Sequence, residues 1–162
     1  MNLNDNSAMF ASTANHQAPL LPAAMQRLAE SENCCWVSTA TLAEFLAQPG
    51  DAALLIWSDP VKFPECIDVA VVLPELRSAL SEGGTSRFRV GVVARGDEFA
   101  VGDRFGALRR PSLVFLRDGQ YVATIPGMRD WDVFLNEARA ALQAPPTRPP
   151  SIAMPARAAT VN

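Results

Sequence analysis

The stretch 109–127, RRPSLVFLRDGQYVATIPG, constrains the fold more than any other part of the chain. Two apolar runs, 113–116 and 121–125, flank Asp118-Gly119. Asp-Gly between two such runs is a hairpin signal, because a tight two-residue turn favours positive φ at both central residues. Gly127 then leads to Asp130, a residue type that suits a helix N-cap, and Trp131, Phe134, Leu135, Ala138 and Leu142 follow at helical spacing. The unit therefore reads strand, strand, helix, with one helix face docked on a sheet.

The preceding half reads strand, helix, strand. Residues 52–57 (AALLIW) form a continuous apolar run, the mark of a strand buried on both faces. Residues 65–80 read as a helix interrupted by Pro74, which removes one hydrogen bond and predicts a kink. Gly83-Gly84 stops it, and 88–93 is a second buried strand. Residues 39–47 form a short amphipathic helix with Leu42, Phe45 and Leu46 on one face, closed by Pro49-Gly50. A first helix begins near Pro22 and runs through Leu28, and 97–105 is a short helix or turn. The sum is an α/β domain, a mixed central sheet flanked by helices.

The ends differ in composition. Residues 1–23, rich in Asn, Ser, Ala and Gln without a period, read as a flexible leader, and 24–143 as the domain. Residues 144–162 carry Pro145, Pro146, Pro149, Pro150 and Pro155, a density that excludes helix and central strand and predicts a disordered tail. No apolar run approaches the length of a membrane span. Asp5 stands where a signal peptide would be basic, and the first basic residue is Arg27, so a cytoplasmic protein is expected. A net charge of −3 gives no basic face for nucleic acid.

Most metal and catalytic constellations lack their residues. His16 is the one histidine, and it lies in the leader, which argues against a His-based triad or metal site. The three cysteines, Cys34, Cys35 and Cys66, fit a reducing compartment rather than a disulfide framework. The adjacent pair lacks zinc-ligand spacing, and its members rarely bond to each other. No glycine-rich phosphate loop is present, and no cofactor is expected.

Residues 104–127 resemble the second half of a thioredoxin. Phe105-Gly106 is followed by Pro111 at the position of that family's cis-proline, then by the hairpin and Gly127. The other reading of Pro111 is an ordinary trans proline opening a strand. In thioredoxins a redox CxxC opens a helix kinked by proline. Counting back from Pro74 puts Cys66-Ile67-Asp68-Val69 at that motif, with Val69 at the second cysteine position. Leu55 falls where the family has its buried acid. Dithiol exchange needs a second thiol to resolve the mixed disulfide, and valine supplies none.

A closer resemblance covers roughly 53–142. The stretches DVAVVLPEL, RRPSLVFLRDGQYV and GMRDWDVFLNEARAAL resemble the HyaE/HupG/HoxO family of thioredoxin-like accessory proteins of hydrogenase maturation. The resemblance implies a non-enzymatic chaperone of uptake nickel–iron hydrogenase assembly. Its implied partners are the small-subunit precursor with its twin-arginine signal peptide, the large subunit or other maturation proteins.

In such a fold Cys66, Pro111 and the loop 58–65 meet at one end of the sheet, where an extended partner segment could pair with the backbone. Arg109 and Arg110 would flank that groove and orient a partner's carboxylate, or stand as solvated loop residues. Asp59, Glu65, Asp68 and Glu75 would attract an arginine-rich peptide, or form a solvated helix face. Trp57 and Trp131 read as core or rim aromatics, and Trp131 alternatively as an interface anchor. Cys66 is a lone thiol activated by a helix N-terminus, the basis of a monothiol oxidoreductase, or a small apolar residue.

Overall fold

The computed structural model describes residues 21–151. Helix α1 (Ala23–Ala29) leads into strand β1 (Cys34–Val37), helix α2 (Leu42–Ala47) and strand β2 (Asp51–Ile56). Helix α3 (Glu65–Ala79), strand β3 (Arg89–Val93) and helix α4 (Glu98–Arg104) follow. Strands β4 (Ser112–Arg117) and β5 (Gln120–Pro126) and helix α5 (Trp131–Gln143) complete the order. The five strands form one mixed sheet in the order β1-β3-β2-β4-β5. β3 runs parallel to both β1 and β2, while β4 is antiparallel to β2 and β5.

Strand alternation splits the core in two. Ala53, Leu55, Trp57, Val90, Val92, Leu113 and Phe115 face α1, α3 and α5. Ala52, Leu54, Ile56, Val93, Val114 and Leu116 face α2 and α4. The AALLIW run is thus buried on both sides, as its unbroken apolar character demands. Each fully buried Leu, Ile or Phe stabilises the fold by about 1.5–3 kcal/mol relative to exposure. Gly91 sits mid-strand where a Cβ would meet Val37 and Leu54 side chains at 2.6 and 2.8 Å, so only glycine lets these side chains close over β3.

The expected helices and strands form, with small shifts. The helix expected from residue 39 begins at Leu42, because Ser38 and Thr41 first bond each other. The Ser38 amide donates to Thr41 Oγ1 at 2.9 Å and the Thr41 amide to Ser38 Oγ at 3.2 Å, a local turn that competes with helix. Helix α3 runs through Pro74 without ending there. Asp130 stands at the N-cap of α5 but makes no capping hydrogen bond with its side chain. Strand β1 has no counterpart in the sequence reading. It has four residues, lies at the sheet edge and buries only Val37, so its short apolar run shows no strand period.

Residues 144–151 form neither helix nor strand. They do not stand clear of the domain, however: the Thr147 amide donates to the Tyr121 carbonyl at 2.8 Å. Residues 1–20 and 152–162, covering most of the expected leader and the rest of the Pro-rich tail, lie outside the described residues.

Candidate functional site

The topology gathers four segments at one end of the sheet. β2 and β3 end there, so the loop into α3 and the start of α4 lie there. β4, being antiparallel, begins there, and β5 ends there. The Arg110–Pro111 peptide is cis. The Gly127 amide donates to the Pro111 carbonyl at 2.8 Å, and the Met128 amide donates to Glu65 Oε2 at 3.3 Å. These two bonds join the β5–α5 loop to the cis-proline and to the first residue of α3.

Cys66 opens α3 but does not face solvent: its exposure is 0%, and it packs in the α1/α3/α5 core with Val69 and Leu55. Burial raises its thiol pKa above the ordinary value, while the Ser58 amide and the charges of Arg110 and Arg95 act in the opposite direction. A protonated, enclosed sulfur with valine at the partner position is poorly suited to thiolate attack. The geometry favours the small apolar role of Cys66 over the monothiol one.

Beneath the surface lies a charged network that sequence inspection did not single out. Glu98 is buried and accepts from Arg95, from the Gly96 amide at 2.6 Å and from Ser58 Oγ at 3.5 Å. Arg95 also donates to Ser58 Oγ at 3.3 Å and lies over the Trp57 ring, 5.5 Å from its centroid. Trp57 is itself buried and donates Nε1–H to the Val93 carbonyl at 2.7 Å. The i, i+3 spacing of Arg95 and Glu98 was the available signal, but it reads equally as an exposed helix pair.

Arg110 belongs to this interior. Only 9% exposed, it donates to the carbonyls of Ala107 (2.7 Å), Arg109 (3.2 Å) and Glu98 (2.9 Å). Burial lowers its pKa, opposed by Glu98 and Asp103. Its guanidinium therefore holds the 107–110 loop to α4. Arg109 is exposed and lies beside Gly127, where a Cβ would stand 3.2 Å from the guanidinium carbon.

The remaining candidates scatter around the same end. Asp59 turns the loop, with Oδ1 accepting from the Val61 amide at 2.9 Å. Glu65 is spent on Met128, Asp68 is exposed on α3, and Glu75 is exposed further along that helix. Trp131 is 42% exposed at the start of α5. More telling are apolar side chains that the sequence reading passed over: Val61 (90% exposed), Phe99 (69%) and Leu108 (62%), all on segments of this end. Phe99 also stacks under Arg110, 5.7 Å from ring centroid to guanidinium.

Cys34 and Cys35 alternate across β1, so one packs beside the α1/α3 core and the other is exposed on the opposite face. Burial raises both thiol pKa values. Among the described residues no cluster of three His, Cys, Asp or Glu could hold a metal ion, and no helix is long and apolar enough to cross a membrane.

A mixed sheet of this order, a cis-proline, and a helix opening with Cys66 and Val69 in place of a dithiol define a thioredoxin-like protein without CxxC. The fold is similar to that of a mutant thioredoxin from Halobacterium salinarum, with TM-score 0.52 and 17% identity over 68% of this chain and 92% of that one. The family described as "Hydrogenase-1 expression protein HyaE" matches residues 24–134, and the chain belongs to it. A "Hydrogenase expression/formation protein HoxO" from Cupriavidus necator is 47% identical over 155 residues, covering 94% of this chain and 93% of the relative. A "Hydrogenase expression/formation protein HupG" from Bradyrhizobium diazoefficiens is 42% identical over 113 residues, 67% of this chain and 74% of the relative. The chain thus combines membership of this hydrogenase expression family with a thioredoxin-like fold.

Proposed function

We propose that the protein is a non-catalytic chaperone that holds a subunit of an uptake nickel–iron hydrogenase in the cytoplasm during assembly. The subunit is the small-subunit precursor, recognised through its twin-arginine signal peptide. The observation that carries this reading is the contrast at the cis-proline end. Cys66, the one thiol there among the described residues, is sealed in the core, while Val61, Phe99 and Leu108 are left in solvent. Exposed apolar side chains on neighbouring segments of one end suit a partner's apolar segment. Arg109, Asp59, Asp68 and Trp131 lie at the same end and would set orientation, with the acids meeting basic residues of the peptide. Such a protein acts through differential affinity for an immature state, without bond chemistry.

The test is affinity capture of the tagged full chain from cells induced for hydrogenase, with mass spectrometry of what it retains. The small-subunit precursor is expected, and a Val61→Asp/Leu108→Asp variant is expected to retain at least about tenfold less. Recovery of no hydrogenase subunit at normal expression overturns the chaperone reading. Undiminished recovery by the variant moves the site away from this end.

A further inference from the structure

The other end of the molecule carries a device that the chaperone reading does not use. β5 is an edge strand, and its sequence, QYVATIP, is rich in β-forming residues. An open edge of this kind invites pairing with the same strand of another copy. We infer that residues 144–150 are a fastened strap that closes the outer edge of β5 against strand addition by a second copy of this chain.

Three fixings hold the strap. At its root Arg117 donates from Nη2 to the Leu142 carbonyl at 2.7 Å and from Nη1 to the Ala144 carbonyl at 2.6 Å, while its Nε binds Asp51 Oδ1 at 2.8 Å. In the middle the Thr147 amide takes the outward-facing carbonyl of Tyr121 at 2.8 Å. At its far end the Pro150 carbonyl lies against Gly106, where a Cβ would collide with it. Gly106 has φ +65°, a conformation that favours glycine on its own account. At the opposite end of the strand Pro126 has no amide to offer a partner.

Composition explains why this segment can cover an edge without creating another. Within 145–150, PPTRPP, only Thr147 and Arg148 carry an amide hydrogen, and that of Thr147 is already used. Prolines also restrict the unbound segment to extended conformations, which lowers the entropic cost of laying it down. The strap lies beyond residues 24–134, the segment that the family model matches.

The experiment compares the full chain with Thr147→Pro, which removes the donating amide, and Thr147→Ala, which keeps it. In the full chain, amide exchange at Thr147 should be roughly fivefold to tenfold slower than at Arg148, as one hydrogen bond provides. By sedimentation the full chain and Thr147→Ala should stay monomeric. Thr147→Pro should self-associate with rising concentration and gain exchange protection over residues 121–125. Equal exchange at Thr147 and Arg148, a Thr147→Pro variant as monomeric as the full chain, or a full chain already paired through 121–125 would each overturn the inference.

Discussion

The two ends of the sheet are finished in opposite ways. At the hairpin end, backbone groups are tied down: the Gly50 amide donates to Asp118 Oδ1 at 2.7 Å, the Asp118 amide to the Gly50 carbonyl at 3.0 Å, and Arg117 gathers Asp51, Leu142 and Ala144. Gly119 packs so closely on the Leu46 carbonyl that a Cβ would collide with it. At the cis-proline end, the polar interior is knit through Glu98, Arg95 and Arg110, while Val61, Phe99 and Leu108 stand exposed outside it. Exposed apolar side chains gain nothing for the isolated domain, and under the proposed function their concentration at one end is where the held subunit docks.

Substitutions sharpen this contrast. The largest expected effect on stability is at Arg110, where alanine strands the buried carbonyls of Ala107 and Glu98 and leaves a cavity. A loss of about 3 kcal/mol in chemical denaturation is expected. At the hairpin end Arg117→Ala, with a partly exposed guanidinium, should cost about 1.5 kcal/mol by the same measurement. An Arg117→Ala loss exceeding that of Arg110→Ala would reverse the account of which interior is more tightly knit. Smaller still is the alkaline effect of Cys66. Its pKa is raised in the fold, so the stability it contributes is complete below the ordinary thiol range. That contribution is lost as pH rises through this range toward the folded value. Stability measured from pH 7 to about 10 should therefore fall less steeply in Cys66→Ala than in the parent. Least affected is Leu108→Ser, expected to change stability by less than about 0.5 kcal/mol while weakening capture of the hydrogenase subunit. A large destabilisation there would mean that Leu108 serves the fold and not a partner.

What could be read from the residues followed the physics of burial. The runs AALLIW and SLVFL are buried on both sides and announce themselves without alternation. Asp118-Gly119 turned as its residue types require, both at positive φ, and the cis bond fell at Pro111. The candidate site was legible only in its location. Neighbouring arginines look alike in sequence, yet Arg109 points to solvent and Arg110 inward, because only the packing of α4 against the cis-proline loop supplies carbonyls for the second. The exposed Val61 and Leu108 escaped notice for the converse reason: an apolar residue in a loop carries no periodicity to say which way it faces. Edge strand β1, CCWV, is apolar throughout but only four residues long, too short to show a period.

Arg117 has a mechanical consequence. Its guanidinium joins β4, an interior strand, to the last carbonyls of α5 and, across the sheet, to Asp51 of β2. A pull on the C-terminus is therefore taken up in turn, first where Thr147 holds the Tyr121 carbonyl of β5 and then at Arg117. Once the Thr147 bond gives way, the load reaches Arg117, where the resisting element is an interior strand held on both sides, not an edge strand that can be peeled away.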